Sequence, residues 1–126
     1  MYSMNKDFDS IVSEAIDNIP EQYQKKIKDV VFKTEPEPTQ EQREKLGLRR
    51  CDALFGLYEG VPLTKRNGAT HSIVPDVITI FEHPMTDIYT EENGLQQQVY
   101  ETVWHEVAHY FGLDHKMIDD AKKSVK

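Results

Sequence analysis

Cysteine is nearly absent from this chain of 126 residues, and Cys51 is its single example. One cysteine cannot form an internal disulfide bond, so side-chain packing must hold the fold together. The same scarcity fits a reducing compartment. A lone cysteine is usually a small buried hydrophobe, and we expect this of Cys51. The composition therefore argues against a disulfide-stabilised secreted domain.

Long apolar runs are also missing. No stretch approaches the roughly 18 consecutive apolar residues that a membrane-spanning helix needs. The first residues, Met1 to Asp7, contain no apolar segment of the kind found in secretory signals. We therefore expect a cytoplasmic protein with no membrane partner.

Positively charged residues are fewer than negatively charged ones. The chain has 15 Lys and Arg residues and 22 Asp and Glu residues, which gives a net charge of −7. This excess of acidic residues opposes a polyanionic partner, and we expect no nucleic acid to bind. Hydrophobic residues make up 38% of the chain and charged residues 29%, as in ordinary globular proteins. The length suits one domain, residues 1–126, with its own core.

Histidine is concentrated near the end of the sequence. Three of the five histidines fall within His105 to His115, which reads H-E-x-x-H-x-x-G-x-x-H. On a helix, residues four apart lie on one face, about 6 Å apart along the axis, so His105 and His109 can bind one metal ion. Glu106 lies beside this pair, where its carboxylate can act as a general base on water.

A third ligand is predicted just beyond this helix. Gly112 can adopt the left-handed conformation that ends a helix, which allows the chain to bring His115 back to the metal. Three protein ligands leave a fourth coordination position for water, and this distinguishes a catalytic zinc site from a structural one. The predicted site is therefore Zn²⁺ bound by His105, His109 and His115, with Glu106 as the catalytic base.

Hydrophobic periodicity predicts the elements around this site. Apolar residues recur at helical spacing in the N-terminal segment and along the metal-bearing segment. Asn93-Gly94 is predicted to break the chain before that helix, and His83-Pro84 to end the clearest strand. The predicted helices are Asp7–Asn18, Pro20–Lys26, Gln40 to just before Gly47, Met85–Tyr89 (a single turn), Leu95–Phe111 and Lys116–Lys123. The predicted strands are Asp29–Glu35, Ala53–Tyr58 and Pro75–Phe81, with a hairpin loop over Thr64–His71.

Most of the chain, roughly residues 8 to 118, resembles the small bacterial zincin-like metallopeptidases, sometimes called minimal zincins. Three segments carry the resemblance: Leu54–Thr64, Pro75–Phe81 and Thr102–Gly112. It implies an α+β domain in which an N-terminal helix and the metal-bearing helix pack against a short mixed sheet. It also implies zinc-dependent hydrolysis of peptide bonds. Members often carry an acidic residue at the position of His115, where Asp would also ligate zinc, so Asp114 is an alternative ligand.

Two other groups share the histidine pattern. The metzincin peptidases have the same zinc signature, but they place a methionine turn well downstream of the third ligand, and Met117 is too close to His115 to form one. The bacterial endoribonucleases of ribosomal RNA maturation have H-G-x-x-H-x-x-G-x-D-H, which matches this chain except that Glu106 replaces glycine. A carboxylate beside the scissile phosphate disfavours nuclease chemistry.

The sequence thus favours a cytoplasmic zinc metallopeptidase acting on a peptide or protein substrate. A metal-dependent endoribonuclease and a metal-stabilised binding module without turnover are the alternatives. The metal is not fixed by the ligand types, since imidazole also binds manganese, iron and nickel.

Overall fold

A computed structural model of the protein describes residues 7–27, 29–49, 51–61 and 75–112. In these ranges the chain forms helices and strands in the order of an α+β domain, as predicted. The helices are α1 (Phe8–Asp17), α2 (Glu21–Gln24), α3 (Gln40–Leu46), α4 (Glu82–Ile88) and α5 (Glu92–Tyr110). The strands are β1 (Val30–Glu35), β2 (Gly56–Glu59) and β3 (Asp76–Phe81).

The strands form a mixed sheet with β3 in the centre, in the order β1-β3-β2. Strand β1 runs parallel to β3, with Phe32 opposite Ile78, and β2 runs antiparallel to β3, with Tyr58 also opposite Ile78. Within the described residues, β2 is therefore an edge strand. The sequence alone did not decide whether β2 or β3 forms the edge nearest the metal-bearing helix, and the topology answers this.

Helix α5 joins the sheet to α1, because it contacts β2 and β3 on one side and α1 on another. The apolar stripe predicted along α5 is confirmed, since Leu95, Val99, Val103 and Val107 are all buried. Trp104 is also buried, and its ring packs edge-on against Tyr23 with centroids 4.9 Å apart. The core thus lies along the helix that carries the histidines and holds it firmly in place.

The ends of the short helices follow local chemistry that the sequence displays. Thr39 and Gln42 form the predicted capping box of α3: the Gln42 N–H donates to Thr39 Oγ1 at 3.0 Å, and the Thr39 N–H donates to Gln42 Oε1 at 2.9 Å. Gly47 ends α3 with φ +66°. These caps place β2 after a helix with well-defined ends.

Four sequence predictions need correction. The clearest strand does end before His83-Pro84, as predicted, but α4 begins at Glu82 rather than Met85. Pro84 therefore lies inside the first turn of α4, where proline costs no helical hydrogen bond. Asn93-Gly94 likewise lies inside the first turn of α5 and does not break the chain. The second strand begins at Gly56 rather than Ala53. Cys51 is exposed rather than buried.

Other predictions fall on segments outside the described residues. These are the hairpin loop over Thr64–His71, the helix over Lys116–Lys123, and His115 with Asp114. In the part of the chain that the structure describes, no helix combines the length and apolar composition that crossing a membrane requires.

Candidate metal centre

His105 and His109 come together on one face of α5, as their spacing predicted. The two imidazole rings lie with their centroids 4.7 Å apart and their planes at 76°. Both side chains are half-buried, so they face a cleft rather than the core. Buried valines two positions away on the helix, Val103 and Val107, fix the rotation of α5 that presents the two rings together.

Glu106 completes a compact set of donors. One ligand atom from each of His105, Glu106 and His109 lies within 4.8 Å of the others. The Glu106 side chain is only 8% exposed, and burial raises the pKa of its carboxyl group to about 7. A hydrogen bond donated by the backbone N–H of Tyr58 opposes this rise by stabilising the carboxylate. The group is therefore buried and held by a donor at the same time.

The position of β2 explains why this N–H can reach Glu106. The carbonyl of Phe55 accepts from the Phe81 N–H at 2.9 Å, so the backbone groups of residue 55 point toward β3. In an antiparallel pair the direction of the backbone groups alternates from residue to residue, so those of Gly56 and Tyr58 point away from β3. The Glu106 carboxylate thus lies on the side of β2 that faces away from β3.

Gly56 allows α5 to approach β2 this closely. A Cβ atom at Gly56 would lie 2.7 Å from Thr102 Cγ2 and 3.2 Å from Glu106 Cγ. The first distance is shorter than van der Waals contact, and Thr102 is a short β-branched side chain with few ways to move aside. Glycine at this position therefore sets the distance between β2 and the Glu106 side chain.

We predict that Gly56→Ala destabilises the protein by about 1–3 kcal/mol, because the new methyl group forces α5 and β2 apart. Hydrolytic activity should fall by more than the loss of folded protein explains, because Glu106 is displaced from the Tyr58 N–H. Urea unfolding together with activity at saturating substrate measures both effects.

Gly94→Ala is the matched control. Gly94 lies in the first turn of α5, and a Cβ atom there would meet Tyr89 Cδ1 at an ordinary contact distance of 3.5 Å. It should leave stability unchanged or raise it by up to about 1 kcal/mol. Equal stability and activity in both variants would contradict the role given to Gly56.

Tyr58 also has a side-chain role. Its hydroxyl donates to Asp76 Oδ2 at 2.7 Å. Its ring packs edge-on against the ring of Tyr110, with the two centroids 6.2 Å apart. A tyrosine beside a metal centre can supply a hydroxyl to the reaction or can simply be packed. The observed bond ties β2 to β3 and so favours the packed interpretation.

The end of α5 follows the sequence prediction. The helix ends at Tyr110, and Gly112 takes the left-handed conformation with φ +84°, its N–H donating to the His109 carbonyl at 2.9 Å. The chain therefore turns where a third ligand requires it to turn. His115 lies outside the described residues, so its assignment as a ligand stays a prediction.

Comparison with known proteins agrees with this geometry. A sequence model of the zincin-like metallopeptidase family matches residues 27–124, which is most of the chain. The chain belongs to this family. No curated protein matches it closely enough to suggest a specific activity or substrate. Membership supports a metal-dependent peptidase in general.

The donor set fits the zinc ion that this family implies. Imidazole nitrogen is an ordinary zinc ligand, and zinc sites are usually completed by four donors. Two imidazoles on successive turns of a rigid, core-packed helix give a divalent cation two fixed ligands. The positions of His105 and His109 therefore suit a resident metal.

Proposed function

We propose that this protein is a zinc-dependent peptidase in which His105, His109 and His115 bind the metal and Glu106 is the general base. The observation that carries the proposal is that one ligand atom from each of His105, Glu106 and His109, all on α5, lies within 4.8 Å of the others. A bound zinc ion would supply Lewis acidity, which polarises the scissile carbonyl and lowers the pKa of water. The residues of the chain supply the remaining steps.

Glu106 moves the proton in this mechanism. Its carboxylate takes a proton from the attacking water, and the acid so formed passes that proton to the leaving amine. Burial favours the protonated form, whereas the Tyr58 N–H favours the charged form. These opposing effects suit a group that must accept a proton and then release it within one cycle.

The edge of β2 supports a peptide as the substrate. An extended peptide can add to an exposed sheet edge through main-chain hydrogen bonds. The backbone groups of Gly56 that point away from β3 lie on the same side of β2 as the Glu106 carboxylate, so a peptide paired with Gly56 passes the catalytic group. We propose that the substrate backbone pairs with β2 in this way.

The buried carboxylate also weighs against a nuclease. A phosphodiester placed beside His105 and His109 would lie against the negative charge of Glu106, and the chain as a whole carries a net charge of −7. We therefore propose a peptide or protein substrate and no nucleic acid partner. We also propose a cytoplasmic location, on the scarcity of cysteine.

One incubation separates these functions. The zinc-loaded protein is mixed with a complex peptide digest and, separately, with structured RNA, each with a chelator-treated control. We expect new peptide termini by mass spectrometry that disappear with the chelator, and intact RNA. Cleaved RNA would support the nuclease, and chelator-sensitive melting without any product would support a binding module.

A further inference from the structure

A cavity of about 310 Å³ lies directly beside His105, on the N-terminal side of the proposed metal centre. Its walls come from the segment that enters β2, including Leu54 and Phe55, and from one face of α5. Pockets that hold whole small molecules span roughly 300–1,000 Å³. This cavity is at the lower limit, which suits one long side chain of a substrate rather than a separate ligand.

The polar wall of this cavity is fixed in one orientation by two hydrogen bonds. The Tyr89 hydroxyl donates to Gln98 Oε1 at 2.8 Å, and Gln98 Nε2 donates to Thr102 Oγ1 at 3.0 Å. The Gln98 carboxamide therefore cannot rotate freely, and its carbonyl oxygen keeps a lone pair for a further donor. Gln98 Oε1 in this wall can therefore accept a further hydrogen bond.

The charge of the cavity has one sign. Glu101 and Glu106 both line it, and among the residues that the structure describes no Lys or Arg side chain does. Glu101 is half-buried, and the described part of the chain offers its carboxylate no hydrogen bond or ion pair. It lies one helical turn before His105 on the same helix face, and it is outside the group of ligand atoms formed by His105, Glu106 and His109.

From these features we propose that the cavity is a specificity pocket for a lysine or arginine side chain next to the scissile bond. The inference rests on the proposed peptidase function and adds its substrate class. The methylene groups of such a side chain pack on Leu54 and Phe55, and its cationic end meets Glu101. The acidic net charge of the whole chain attracts basic peptides as well.

Peptide digestion tests this preference through activity. Products formed by the zinc-loaded full chain should show Lys or Arg enriched about tenfold at a single position beside the cleaved bond. Glu101→Gln should remove this enrichment, and Glu101→Lys should replace it with Asp or Glu at the same position. Glu37→Gln, which removes an exposed charge in a loop outside the cavity, should keep the wild-type pattern.

Binding tests the same preference without turnover. Two short labelled peptides that differ only in a central Lys or Met are titrated into zinc-loaded Glu106→Gln protein. We expect the Lys peptide to bind about tenfold more tightly, and Glu101→Gln in the same background to abolish the difference. Equal affinities, or no binding of either peptide, would overturn the proposal.

The two arms also separate this inference from the proposed function. Chelator-sensitive cleavage without any preference for Lys or Arg would remove the specificity pocket and leave the peptidase. Selective binding of the Lys peptide by a protein that cleaves nothing would leave the pocket and remove the peptidase.

Discussion

Glu106→Gln is expected to lower peptide turnover by about 10²- to 10⁴-fold, the usual contribution of general-base catalysis. The amide keeps the size of the side chain and cannot accept the proton of the attacking water. Zinc content should be unchanged, because the base is not one of the proposed metal ligands. Activity on a cleaved peptide and metal content per chain, measured on the same sample, check both parts.

The fold of this variant can be checked independently. Glu106 is 8% exposed, and burying a charged carboxylate costs stability that a neutral amide avoids. The metal-free variant should therefore melt no lower than the metal-free wild type. A variant that melts normally, holds zinc and still cleaves peptide at the wild-type rate would end the assignment of Glu106 as the base.

His109→Ala is expected to abolish activity together with tight zinc binding, because one of two ligands on the rigid helix is lost. Zinc present at about 1,000 times its dissociation constant stabilises a protein by about 4 kcal/mol. The wild type should therefore melt well above its chelated form, and the variant should melt at the same temperature with and without zinc. Calorimetry with added zinc or chelator measures this difference.

His83→Ala is the matched control for that change. His83 is an exposed residue of α4, so its substitution makes the same chemical change without touching the proposed centre. It should keep the zinc-dependent rise in melting temperature. An equal rise in His109→Ala and wild type would show that zinc binds elsewhere. For His115→Ala we expect weaker zinc retention, and unchanged stoichiometry would point to another ligand such as Asp114.

The sequence predicted the elements whose signals are local and periodic. The apolar stripe of α5, the capping box at Thr39 and the left-handed glycine at Gly112 are each visible within a few residues, and the structure confirms them. The histidine and glutamate spacing likewise predicted a shared helix face. These features depend on backbone geometry that a short window of sequence fixes.

The errors arose at residue types that occur in two different structural contexts. Proline and glycine are helix breakers inside a helix but are tolerated in its first turn, where the N–H groups have no helical partner. His83-Pro84 and Asn93-Gly94 both fall in first turns, whereas the sequence prediction began each of these helices only after them. Nothing local marks which position in a helix such a residue will take.

The tertiary contacts of the site are not marked by any pattern in the sequence. Gly56 was part of the segment that resembles the family, but only the packing of α5 on β2 shows why a side chain is excluded there. The hydrogen bond from the Tyr58 N–H to Glu106 is donated by the backbone, so the residue type at position 58 does not predict it. Glu101 had a weak signal, since it lies four residues before His105 and therefore on the same helix face.

The most direct test is a crystal structure of the zinc-loaded protein with anomalous diffraction at the zinc edge. One anomalous peak should lie about 2.0–2.1 Å from an imidazole nitrogen of His105, His109 and His115. The Glu106 carboxylate should stay outside the coordination sphere, with solvent in the remaining position. A peak coordinated by Glu106, or a metal held by four protein donors with no solvent ligand, would contradict a catalytic centre of this kind.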